Sequence, residues 1–66
     1  MNIMLNGQAR SLASSRTVSD LIRELGYENK RIAVERNGDI VPRSQHETTL
    51  LAEGDRLEIV VAVGGG

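Results

Sequence analysis

The chain has no cysteine among its 66 residues. Disulfides, zinc-thiolate sites and thiol nucleophiles are therefore excluded, and any sulfur chemistry must use a group other than a side-chain thiol. Phe and Trp are absent and Tyr occurs once, which leaves no aromatic platform for stacking bases. Charge of one sign is lacking as well: 8 basic and 9 acidic residues give a net charge of -1, without the basic footprint of nucleic-acid binding. No run of roughly 18 apolar residues is present to span a membrane, and Met1 to Asn6 has neither a basic region nor a long apolar core. A cytoplasmic location is the default expectation. The single histidine, His46, sits in the polar run Arg43 to Thr48. It reads as a solvated loop residue, because metal sites and catalytic triads need several convergent partners.

What is present fits a small globular domain, with 39% hydrophobic and 26% charged residues. A domain of this size buries only about 60% of its unfolded surface, which leaves little room for an enclosed active site beside a core.

In chain order, Ile3 and Leu5 alternate with polar neighbours before Asn6-Gly7, the strongest short signal for a two-residue hairpin. Val18, Leu21, Ile22 and Leu25 then recur at helical spacing on one face. Thr17 is placed as the N-cap, Asp20 complements the positive helix start, and Gly26 is suited to a left-handed C-terminal stop. Arg31 to Arg36 alternates as a strand, Asn37-Gly38-Asp39 is a second turn, and Ile40-Val41 adds a short strand before Pro42. Arg43 to Thr49 reads as an irregular polar excursion, with Leu50 to Ala52 returning to the core. After the turn Glu53-Gly54-Asp55 comes the longest apolar strand, Arg56 to Val63. Its period of two directs Leu57, Ile59, Val61 and Val63 inward and Arg56, Glu58, Val60 and Ala62 outward.

This order predicts an α+β domain over residues 1–63, a mixed sheet of four to five strands packed on one main helix. If the last strand lies beside the first, that pair is parallel and the crossover helix explains how. Such an order is that of a β-grasp, ubiquitin-like fold. Residues 64–66 form a glycine tail, expected to be flexible. Gly64, Gly65 and Gly66 admit two readings. Either they are a frayed end, or they form a slender tail that threads a narrow cleft so that the α-carboxylate of Gly66 can be modified. Glycine lets enclosing walls approach the backbone closely. A partner that orders the tail must recover about 3–6 kcal/mol of lost backbone freedom through contacts elsewhere, and the outward pair Val60 and Ala62 is the candidate docking surface.

The element order, the Glu53-Gly54-Asp55 turn, the diglycine end and the segment Val34 to Arg43 together resemble the small ubiquitin-like sulfur carriers, most of all the ThiS family of thiazole formation in thiamine biosynthesis. Gly64, a third glycine, departs from the usual pair by lengthening the tail. The resemblance implies a carrier, not an enzyme, with no bound cofactor. An adenylating (ThiF-like) enzyme uses ATP to activate Gly66, a sulfur donor protein converts it to a thiocarboxylate, and a thiazole synthase (ThiG-like) accepts the sulfur. Arg36, Arg43 and Glu58 are candidates for steering these partners or for plain solvated surface. Three alternatives stay open: the small subunit of molybdopterin synthase, with the same tail chemistry; a protein-conjugating modifier; and a β-grasp interaction domain whose glycines are only linker.

Overall fold

The computed structural model describes residues 1–62. Among them the chain forms strands β1 (Asn2–Leu5) and β2 (Gln8–Ser11), helix α1 (Val18–Glu24), strands β3 (Ile32–Arg36) and β4 (Asp39–Val41), one 3-10 turn (Arg43–Gln45) and strand β5 (Arg56–Val61). The sheet order is β2-β1-β5-β3-β4. β5 lies parallel to β1 and antiparallel to β3, and both hairpins are antiparallel. This is the β-grasp arrangement, with α1 carrying the chain from the first hairpin across to β3.

Both hairpins turn on Asn-Gly. Asn6 and Gly7 have φ of 50° and 81°, and Asn37 and Gly38 have 52° and 90°. A two-residue turn of this hand matches the right-handed twist of the strands it joins. Each asparagine also holds β5. The Asn6 carboxamide donates to the Ile59 carbonyl at 3.2 Å and accepts from the Ile59 N–H at 2.9 Å. It thereby replaces the peptide group that β1, ending at Leu5, no longer supplies. On the other side Asn37 accepts from the Arg56 N–H at 2.9 Å through its side chain, while its own N–H donates to the Arg56 carbonyl at 2.8 Å.

Helix α1 begins in a capping box. The Thr17 hydroxyl accepts from the Asp20 N–H, and the Asp20 carboxylate accepts from the Thr17 N–H. The Arg16 and Thr17 N–H groups, followed by the Thr17 hydroxyl and the Arg23 guanidinium, outweigh desolvation and hold the Asp20 carboxyl below its ordinary pKa. Leu25 caps the helix and Gly26 follows at φ 77°. The helix face predicted from spacing is the buried one: Val18, Leu21 and Ile22 are enclosed and Leu25 packs against the core from its edge. They meet Ile3, Val34, Val41, Leu57 and Ile59 from the sheet. Each fully buried side chain of this kind contributes about 1.5–3 kcal/mol. Among the described residues one helix covers one sheet face, and the other face meets solvent.

The segment from Arg43 to Ala52 is more ordered than its polar composition suggests. The Ser19 N–H donates to the His46 carbonyl, the Val18 N–H to Thr49 and the Leu51 N–H to Arg16, so the excursion is laced to the start of the helix. His46 is not the solvated loop residue expected from its neighbours. Its ring is buried, and Nε2–H donates to the Val41 carbonyl at 3.1 Å, satisfying a backbone acceptor where β4 ends. The expected return of Leu50 to Ala52 to the core holds only for Leu51. Leu50 is bridged to Thr17 in extended backbone, which turns its side chain outward, 66% exposed.

Candidate functional site

The tail is delivered by β5, the central strand of the sheet. Backbone from β1, prolonged by the Asn6 carboxamide, holds one edge of β5 as far as Ile59. The other edge pairs with β3 from Leu57 to Val61. The ladder continues one step further, where the Ala62 N–H donates to the Arg31 carbonyl at 2.9 Å. The root of the tail is thus fixed in the sheet up to the last described residue. Val63, Gly64, Gly65 and Gly66 lie outside the described residues.

Along β5 the predicted alternation is present. Leu57 and Ile59 are enclosed and Val61 is half-buried on the helix side, whereas Arg56, Glu58, Val60 and Ala62 face the open side. Val60 is 65% exposed, and Ala62 is exposed beside it. Cross-strand register then assembles a surface that no single segment announces. Ala33 stands opposite Val60, Glu35 opposite Glu58, and Ile40 opposite Glu35 on the far side. Ile40 is 75% exposed. On the other flank Met4 pairs with Arg56. A groove of about 360 Å³ runs over this end of the face, bounded by Met4, Glu35, Arg56 and Glu58 and by the Asn37-Gly38 turn.

The alternation along β5 singles out Val60 and Ala62 but gives no sign of Ile40, Ala33 and Glu35. Ile40 lies in a two-residue apolar run, which has no alternation from which to choose a face. Glu35 gains meaning only from its register with Glu58.

The three charged steering candidates part company. Glu58 is on the open face and Arg43 is exposed at the start of the 3-10 turn. Arg36 has a structural partner instead: its Nε donates to the Asp55 carboxylate at 2.8 Å. Asp55 is buried just before β5 and also accepts from Asn37 Nδ2 at 3.0 Å and the Ala52 N–H at 2.8 Å. Burial is the largest single influence on its carboxyl and raises the pKa. The Asn37 carboxamide, the Arg36 guanidinium and the Ala52 N–H together outweigh it, so the carboxyl sits below its ordinary value. Asp55 therefore joins three segments at the entrance to the strand that carries the tail. Nearby, the Glu53 carboxylate accepts from the Asn2 N–H at 3.1 Å, tying the same turn to β1.

Among the described residues no group of His, Cys, Asp and Glu is arranged to hold a metal ion, and no helix is long and apolar enough to cross a membrane.

The ThiS family model matches residues 3–66. The chain belongs to the ThiS family. Its relatives include the sulfur carrier protein ThiS of Escherichia coli, 32% identical over 66 residues and covered completely on both sides. The crystal structure of a thiamine biosynthesis protein (ThiS) from Geobacter metallireducens superposes with a TM-score of 0.82, at 28% identity and over all of both chains. A thiazole synthase of Paramagnetospirillum magneticum is 44% identical over the whole of this chain, which spans only 20% of that protein. The family membership agrees with the β-grasp topology.

Proposed function

We propose that this ThiS-family chain is a sulfur carrier of thiamine biosynthesis whose reacting group is the α-carboxylate of Gly66. At neutral pH a terminal carboxylate, with an ordinary pKa of about 3.3–3.7, is ionised and a poor electrophile. It has to be activated. An adenylating (ThiF-like) enzyme joins it to AMP from ATP with release of pyrophosphate. The terminal sulfur of a persulfide on a sulfur donor protein displaces the AMP to form an acyl disulfide, and an external thiol reduces that disulfide to free the donor. The resulting thiocarboxylate passes its sulfur to a thiazole synthase (ThiG-like), and the carrier returns with a carboxylate. The protein itself is the co-substrate of these steps and binds no cofactor; ATP belongs to the adenylating partner.

The observation that supports this reading best is the mounting of the tail. β5 is held on both edges, and Ala62 is still tied to Arg31, so a partner that grips the folded body knows where the tail begins. Four residues beyond Ala62 reach at most about 13–14 Å when extended, which suffices to carry Gly66 into a cleft. Val60 and Ala62, exposed beside that root, are the docking contacts that offset the cost of ordering the glycines Gly64 and Gly65. The absence of cysteine is consistent with sulfur carried on the terminus. The relative named thiazole synthase, in which a segment like this chain makes up 20% of the length, supports that enzyme as the sulfur acceptor.

A labelled-sulfur transfer assay tests the pathway. Carrier charged with labelled sulfur is expected to pass the label to the thiazole product when thiazole synthase and its other substrates are supplied. Label that appears in molybdopterin with the corresponding synthase, and not in thiazole, would assign the chain to the rival pathway.

A further inference from the structure

Glu35 on β3 and Glu58 on β5 stand directly opposite one another on the open face. Opposed side chains in an antiparallel pair have Cβ atoms about 4.5–5.5 Å apart, and like charges at that distance destabilise the sheet. Both glutamates are exposed. Among the described residues neither forms an ion pair, nor does Arg56, the nearest cation on this face by register. No ion pair among the described residues relieves the repulsion.

Apolar side chains flank the two carboxylates. Ile40 adjoins Glu35 in the same row, while Val60 follows Glu58 along β5 with Ala33 opposite. A surface that covers Ile40 and Val60 together passes over Glu35, which lies between them on β3, and abuts Glu58, the neighbour of Val60 along β5. Removing two carboxylates from water without a counter-charge opposes binding more strongly than the apolar contacts favour it. A partner that uses this face has to bring a cation.

We propose that the adenylating partner docks here through an arginine seated between Glu35 and Glu58. Its planar guanidinium presents several N–H donors at fixed angles and can address both carboxylates together, which the point charge of a lysine does less well. The pair that repels in the free carrier becomes attractive in the complex, and this sets partner choice as well as affinity. The inference rests on the reading of the Val60 and Ala62 face as the docking surface and adds the charge that its partner must carry.

Titration calorimetry with the cognate adenylating enzyme at low and high salt tests it, using wild-type carrier, the double variant Glu35→Gln/Glu58→Gln and the single variant Val60→Ser. The glutamines keep shape and remove charge. The double variant is expected to melt at or above the wild-type temperature, to bind roughly tenfold or more weakly and to lose most of the salt dependence. Val60→Ser is expected to bind more weakly with its salt dependence retained. Unchanged or tighter binding by the double variant, with weakening by Val60→Ser, would overturn the arginine contact while leaving the docking face in place. Wild-type affinity in both variants, or no binding by the wild type, would remove the docking face and the contact with it.

Discussion

Gly65→Val is expected to leave the domain folded and to slow adenylation of Gly66 by roughly 10²-fold or more, since a displacement of about 1 Å at the reacting group costs that much. The substitution lies four residues beyond the end of β5 at Val61, and the core described for residues 1–62 is built without it. Thermal unfolding should therefore be unchanged. A β-branched side chain restricts the backbone beside it and adds bulk in both directions from the main chain. A cleft shaped to close on bare backbone cannot admit it without opening. Pyrophosphate release in the presence of the adenylating enzyme and ATP measures the effect. Adenylation of the variant at the wild-type rate would mean that the glycines are not there for slenderness.

The second large effect belongs to stability. Asp55→Asn is expected to cost about 2–4 kcal/mol, because it leaves the half-buried Arg36 guanidinium without its counter-ion and turns a carboxamide N–H₂ toward the donors that the carboxylate now accepts. For a domain of this size that lowers Tm by on the order of 10–30 °C. The pH dependence has a definite sign. The folded-state pKa of Asp55 is below its ordinary value, so its contribution is fully present above about pH 4, the unfolded range. It is lost as pH falls from there through the folded-state value. The gap between wild type and variant should therefore be constant near neutrality and narrow in acid. Chemical denaturation of both proteins across that range checks it, and a gap that widens as pH falls would contradict the assigned direction. Asp20, also held low, stays in both proteins and does not affect the difference.

Features that rest on neighbours in sequence were legible before the fold was known. Asn6-Gly7 and Asn37-Gly38 signal turns because two successive residues need positive φ, and Thr17 with Asp20 signals a helix start because a cap acts within one turn. The stripe from Val18 to Leu25 and the alternation along β5 are likewise local periodicities. The roles that escaped depend on contacts distant in the chain. The clamping of Ile59 by Asn6 spans 53 residues, and Asp55 reaches Arg36 across 19. Nothing in a polar run around His46 reveals that the Val41 carbonyl lies within reach of its ring. Glu35 and Glu58 are two ordinary surface glutamates until the antiparallel register sets them face to face. At the site the reverse holds: the glycines were conspicuous in sequence, and the structure adds the fixed strand and the open face that lead to them.

In the proposed function Gly66, and no side chain, carries the sulfur. Intact-mass and fragment-mass spectrometry of the carrier after incubation with ATP, the adenylating enzyme and a sulfur donor tests it most directly. The expected result is a mass gain equal to one sulfur replacing one oxygen, confined to the C-terminal fragment that contains Gly66. An unchanged mass under conditions that charge a control carrier, or sulfur located at any other residue, would contradict it.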